Sequence, residues 1–190
     1  MTSVRSATRG SDRVIVLDRD GTLVIDRGYL DDPAGLAWTP GAAEAVRWWH
    51  EHDYRLIVIT NQSGVGRGLF TLERLAAVHT RLEAMMAAAG ARLTGLYVCT
   101  HRPEDGCLCR KPQVSLLEQA AREHLFDARR CVVIGDKASD IELGRRVGAR
   151  TIRIAAAGTL ASPDAAEDPA PDLTVQTLLE AAHAVTDRGW

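Results

Sequence analysis

Three short apolar runs, each closed by a polar side chain, limit the architectures open to this chain. Val14-Ile-Val-Leu17 ends at Asp18, Leu56-Ile-Val-Ile59 at Thr60, and Val132-Val-Ile134 at Gly135 and Asp136. Unbroken apolar stretches of this length suit strands buried on both faces, as in a parallel sheet covered by helices on each side. Ligands of open parallel α/β sheets bind in the crevice beyond the carboxyl ends of the strands. Asp18, Thr60 and Asp136 are therefore expected to converge there.

Helical patterns separate the runs. The segment 40–49 opens with a proline suited to a helix start, 72–89 is rich in Ala, Leu and Met, and 114–124 and 139–147 continue the alternation. This βαβ rhythm predicts a doubly wound, mainly parallel, Rossmann-like α/β sheet. Further strands near Leu96–Cys99 and at Thr151–Ile154 bring the count to five or so. A closing helix from Leu173 to about Val185 and a surface loop over 161–172 complete the pattern.

A chain of 190 residues with 46% hydrophobic content is within reach of one core, so a single domain over 13–190 is expected, preceded by a mobile, polar tail at 1–12. That tail lacks the apolar stretch of a secretory signal. No run approaches the length of a membrane span. Lys and Arg number 23 against 25 Asp and Glu, a formal charge of -2, which argues against electrostatic capture of nucleic acid or an anionic membrane. Closely spaced cysteines suit metal better than disulfides, and a reducing cytoplasm fits both observations. The sequence leaves the oligomeric state open, with a monomer favoured.

Asp18-Arg19-Asp20-Gly21-Thr22 places two carboxylates two residues apart, which in extended backbone sends both side chains to one side. Their repulsion, sharpened by burial, calls for a divalent cation between them or a proton on one. Mg²⁺ is the natural partner if the chemistry is phosphoryl transfer, because a carboxylate attacks poorly at a phosphorus ringed by negative oxygens. Asp136 offers a further carboxylate. One aspartate could then attack while the other moves a proton.

Thr60-Asn61-Gln62-Ser63-Gly64 carries hydroxyls, amides and a glycine able to face phosphate oxygens, though a polar turn capping a strand would read the same way. Arg110 and Lys111 supply a planar fork and a point charge for an anionic group. Directly before them, Cys99, His101, Cys107 and Cys109 place four soft or borderline ligands within eleven residues, enough for a closed tetrahedral zinc site. Such a site leaves no open position for substrate. Its expected work is to hold the loop between Cys99 and Cys109 beside Arg110 and Lys111. Cys131 begins an apolar run and reads as a buried small hydrophobe.

These motifs together resemble the haloacid dehalogenase superfamily, and within it the D-glycero-D-manno-heptose 1,7-bisphosphate 7-phosphatases and the related histidinol-phosphate phosphatases. The resemblance runs from about Val14 to the last helix, through Asp18–Thr22, Thr60–Gly64, the cysteine loop with Arg110-Lys111-Pro112, and Gly135-Asp136-Lys137 with Asp140. It implies that Asp18 is a nucleophile forming an aspartyl-phosphate and that Asp20 is the general acid and then the base for water. Mg²⁺ would be held by Asp18, the backbone carbonyl of Asp20, and Asp136. Thr60 and Lys111 match residues that steady the phosphoryl group. Arg110, the stretch Asp26-Arg27-Gly28-Tyr29, Asn61, Gln62, Ser63 and Lys137 fall at positions expected to meet substrate.

No large insertion follows Gly21 or Thr60, so a capless enzyme is expected, with the zinc loop as partial lid. Thr100, Val24 and Gln113-Val114-Ser115 depart from residues common in the family, which bears on substrate choice. Gln62-Ser63-Gly64-Val-Gly-Arg67-Gly68 looks like the heptose type, so a small phosphorylated sugar is the expected substrate and histidinol phosphate the alternative. A phospho-accepting signalling module would share the fold, but Asp20 would shorten the life of its acyl phosphate. A DNA-end phosphatase would want a basic groove.

Overall fold

The computed structural model describes residues 13–155 and 169–190. Strands β1 (Val14–Leu17), β2 (Arg55–Asn61), β3 (Leu93–Cys99), β4 (Val132–Gly135), β5 (Arg150–Ile154) and β6 (Leu173–Val175) form one sheet in the order β3-β2-β1-β4-β5-β6. Every pairing is parallel. The helices are α1 (Ala42–Glu51), α2 (Ser63–Gly66), α3 (Leu72–Ala88), α4 (Ser115–His124), α5 (Ala138–Val147) and α6 (Leu178–Arg188).

Alternation along β1 divides the core. Ile15 and Leu17 pack on one face with Val46 and Trp49 of α1, Val78 and Leu82 of α3, and Ala181 and Val185 of α6. Val14 and Val16 face the other layer, with Leu117 and Ala120 of α4 and Leu143 of α5. Each such aliphatic side chain removed from water contributes about 1.5–3 kcal/mol, which is why the central strand carries no polar residue before Asp18. Register then aligns the strand ends: Leu17 stands opposite Val58 of β2 and Ile134 of β4.

The chain departs from expectation at its end. Leu173–Val175, anticipated as the first turn of the closing helix, is a sixth strand beside β5. The helix starts at Leu178, where the Thr177 side chain accepts from Glu180 N at 3.2 Å and the Glu180 side chain from Gln176 N at 3.0 Å. The expected tail over 1–12 and most of the expected loop over 161–172 lie outside the described residues. Between β1 and α1 only a short 3₁₀ turn, Pro33–Gly35, intervenes, and between β2 and α3 only α2, so neither connection builds a cap.

Candidate active site

Asp18 follows β1 directly, and its N–H donates to Ile134 O at 3.0 Å, fixing the nucleophile candidate against β4. Lys111 Nζ reaches this point from the loop after β3. It lies 2.7 Å from Asp18 Oδ1, donates to Ile59 O at 2.7 Å, and sits 2.7 Å from Asp140 Oδ1. Burial opposes the ammonium charge, but attraction from Asp140 and Asp18 outweighs it and raises the Lys111 pKa. Asn61 holds the lysine's backbone from both sides: its Oδ1 accepts from Lys111 N at 3.0 Å and its Nδ2 donates to Lys111 O at 3.3 Å. The Asn61 amide thus acts on the loop, although the residue lines the cleft.

Asp18, Asp136 and Asp140 bring carboxylate oxygens within 4.8 Å of one another. Oxygens about 2.1 Å from one Mg²⁺ lie about 3–4 Å apart, so small adjustments let them share an ion. Two glycines make the approach possible. A Cβ on Gly21, whose φ is +85°, would fall 2.4 Å from Asp136 Oδ2, and one on Gly135 would fall 2.2 Å from Asp140 Oδ2. Burial pushes Asp136 up to about 6, the attraction of Lys137 opposing and the charges of Asp18 and Asp140 adding to it. Against three carboxylates stands one buried lysine. This excess of negative charge fits a divalent cation.

The Asp20 carboxylate is held elsewhere. Arg19 grips it with Nε at 3.0 Å and Nη2 at 3.1 Å, and Gln62 Nε2 donates to it at 2.7 Å. Burial raises its pKa, with Arg19 opposing and Asp18 adding. The carboxylate of the metal group not expected from the sequence is therefore Asp140, and any share of Asp20 in an ion falls to its backbone carbonyl. Gln62 Nε2 also donates to Thr60 Oγ1 at 2.8 Å, which leaves the threonine hydroxyl proton free to donate.

A cleft of about 400 Å³ opens above these groups, lined by Asp18, Asp20, Thr60, Gln62, Ser63, Arg110, Lys111, Asp26, Gly28, Tyr29 and Lys137 among others. Nearly the whole expected set converges. Asp26 and Lys137 pair across the rim, Oδ2 to Nζ at 3.1 Å, and Asp26 Oδ1 accepts from Gly28 N at 2.8 Å. Arg27 is exposed and stands outside the lining, whereas Ser139 belongs to it without having been anticipated. Arg19 and Asp140 were likewise not marked as site residues. The signal for Asp140 was its place four residues after Asp136 at the start of α5, where its side chain also caps Lys137 N at 3.1 Å.

All four cysteines are free, and beside the cleft three of them, Cys99, Cys107 and Cys109, meet His101. Cys99 Sγ lies 3.2 Å from Cys109 Sγ and 3.6 Å from Cys107 Sγ, Cys107 and Cys109 are 3.6 Å apart, and His101 Nδ1 is 3.2 Å from Cys109 Sγ. A tetrahedron of thiolates about 2.3 Å from zinc has edges of about 3.8 Å, so the donor set fits a metal. Burial favours the neutral Cys107 thiol, but N–H groups of Cys109 and Arg110 outweigh it and lower its pKa, whereas burial raises the Cys99 and Cys109 thiols, so a cation is what would bring all three to thiolates. The loop is tied to the cleft wall, with Gly66 N donating to Thr100 O at 3.0 Å and Arg67 pairing with Glu104 at 3.4 Å. Cys131 is buried, as expected.

Comparison with known proteins gives a consistent picture. A family model described as HAD-hydrolase-like matches residues 108–181. The D-glycero-beta-D-manno-heptose-1,7-bisphosphate 7-phosphatase of Helicobacter pylori strain J99 is 40% identical over 135 residues, covering 70% of this chain and 78% of that protein. A probable D-glycero-D-manno-heptose-1,7-bisphosphate 7-phosphatase of Thermoplasma volcanium is 32% identical over 71% of this chain and 93% of its own length. The crystal structure of D,D-heptose 1,7-bisphosphate phosphatase from B. bronchiseptica, complexed with magnesium and phosphate, superposes with a TM-score of 0.81 at 25% identity, covering 93% of this chain and 99% of that one.

Proposed function

The chain belongs to the haloacid dehalogenase-like hydrolases, within the family of D-glycero-D-manno-heptose-1,7-bisphosphate 7-phosphatases, and on that footing we propose that it removes the 7-phosphate of the heptose bisphosphate through a phosphorylated Asp18. One observation carries the proposal: Asp18 lies at the carboxyl end of β1 with Lys111 Nζ 2.7 Å away and the carboxylates of Asp136 and Asp140 within reach of a shared ion.

In the reaction, Asp18 attacks phosphorus and takes the phosphoryl group, while Lys111 and the Thr60 hydroxyl hold the transferred oxygens. Asp20 gives a proton to the leaving sugar oxygen, a task its raised pKa suits. It then takes one from the water that cleaves the acyl phosphate. Asp18, Asp136 and the Asp20 carbonyl would hold Mg²⁺, with Asp140 alongside, and the ion would supply charge neutralisation where anionic nucleophile and anionic ester meet. Arg110, Ser63, Tyr29 and Lys137 line the approach and would meet the sugar and its second phosphate.

The cysteine group would hold Zn²⁺ as a brace for the loop that ends in Arg110 and Lys111. Free cysteines support a reducing cytoplasm. Among the described residues, no helix is long and apolar enough to cross a membrane.

Phosphate release in Mg²⁺ buffer across both anomers of the heptose bisphosphate, fructose 1,6-bisphosphate and histidinol phosphate tests the proposal. Preference for a heptose anomer is expected. A preference for histidinol phosphate would move the assignment to the sister activity.

A further inference from the structure

Arg19 stands between the two motif aspartates, fully buried, and all three of its nitrogens are engaged. Nε and Nη2 hold the Asp20 carboxylate as a fork. Nη1 lies 3.1 Å from Nε2 of His79, a residue of α3 far along the chain. Burial and the neighbouring guanidinium push the His79 imidazole down to about 4. Its Nε2 therefore carries a lone pair toward Arg19, and the ring proton sits on Nδ1. His79 follows Val78, which is locked in the core, so the acceptor rides on a packed helix.

A guanidinium can aim a carboxylate only if it is itself fixed, and among the described residues the side chains that fix Arg19 are those of Asp20 and His79. We propose that Arg19 and His79 are positioning residues for Asp20, with His79 anchoring the far edge of the guanidinium so that its near edge presents the Asp20 carboxylate at the leaving-group side of Asp18. The inference rests on the acid role of Asp20 stated above. Replacing His79 leaves Nη1 buried without an acceptor, and the fork turns to find one.

Leaving-group dependence separates positioning from plain structural support. Departure of a sugar alkoxide needs an acid, whereas p-nitrophenolate leaves without one. For His79→Leu, kcat/KM on the sugar bisphosphate is expected to fall by about 10- to 100-fold, with a change of about threefold or less on p-nitrophenyl phosphate. His79→Gln, which offers an oxygen acceptor, is expected to restore most of the loss. Equal losses on both substrates, or no rescue by glutamine, overturn the proposal.

Should His79→Leu fail to fold, Arg19→Lys answers the same question, since it keeps the charge but lacks the fork, and the same selective loss is expected. Asp20→Asn separates the two levels. If it shows the leaving-group dependence and the His79 and Arg19 variants do not, the positioning role fails alone. If Asp20→Asn does not show it, the acid assignment fails and the inference with it.

Discussion

Lys111 Nζ and Asp18 Oδ1 are 2.7 Å apart, both almost fully buried, and they join the loop after β3 to the end of β1. Among the described residues the lysine is the cation placed between Asp18 and Asp140, held there by Asn61 and by Ile59 O. That contact couples the cysteine-bearing loop to the proposed nucleophile.

Lys111→Met should lower kcat by about 10²–10³, the usual loss when one preorganised charge is removed from a transition state. It should also destabilise the apo protein by about 3–5 kcal/mol, because Asp18 and Asp140 are left buried without their partner. Because the Lys111 pKa is raised, its contribution is complete below the lysine's ordinary value and is lost only as pH rises through the higher folded one. Stability measured by denaturant should show the deficit, smaller at pH 6 than at pH 9 because Asp140, raised by burial and no longer lowered by the lysine, can take up a proton at the lower pH. A variant as stable as the parent would mean that the pair adds nothing to the fold.

In the proposed site, Asp136 would link magnesium binding to pH. Its folded pKa, about 6 against an ordinary 3.8, means that its ionisation costs stability as pH rises through that interval. A cation sharing the carboxylate offsets this cost, and below pH about 6 a proton competes for the same oxygens. Apparent Mg²⁺ affinity should weaken by up to about tenfold for each pH unit below 6. Thermal shifts at matched Mg²⁺ should be larger at pH 7.5 than at pH 5. Equal shifts at both would remove Asp136 from the metal site.

Elemental analysis should find about one zinc per chain in the parent and none in Cys107→Ala. A Tm drop of about 5 °C is expected, equivalent to roughly 2 kcal/mol for a chain of this size. Activity should fall as well, since Arg110 and Lys111 directly follow Cys109. Unchanged metal content and Tm would leave the thiols without a structural metal.

Much of this was legible in sequence because burial on both faces writes an uninterrupted apolar run, and the residue that ends such a run in a parallel sheet has few places to go. The convergence of Asp18 and Thr60 on the cleft and of Asp136 beside Asp18 followed from that rule, and the clustering of Cys99, His101, Cys107 and Cys109 from spacing alone. Contacts set by tertiary placement were not legible. Asp140 reads locally as an acid in a helix's first turn, and its pairing with Lys111 depends on a distant loop. Nothing local marks Arg19, whose contact with His79 depends on the placement of α3. Asn61 looked like a phosphate donor, yet both ends of its amide turn to the Lys111 backbone. Strand β6 was hidden by its three-residue length, although Thr177 and Glu180 marked the true start of α6.

The nucleophile can be trapped directly. Enzyme quenched during turnover of the heptose bisphosphate in Mg²⁺, reduced with borohydride and mapped by mass spectrometry, should carry homoserine at position 18 and at no other aspartate, with none formed when substrate is omitted. An unmodified position 18 under conditions of steady turnover, or reduction at Asp20, Asp136 or Asp140 instead, would contradict phosphoryl transfer through Asp18.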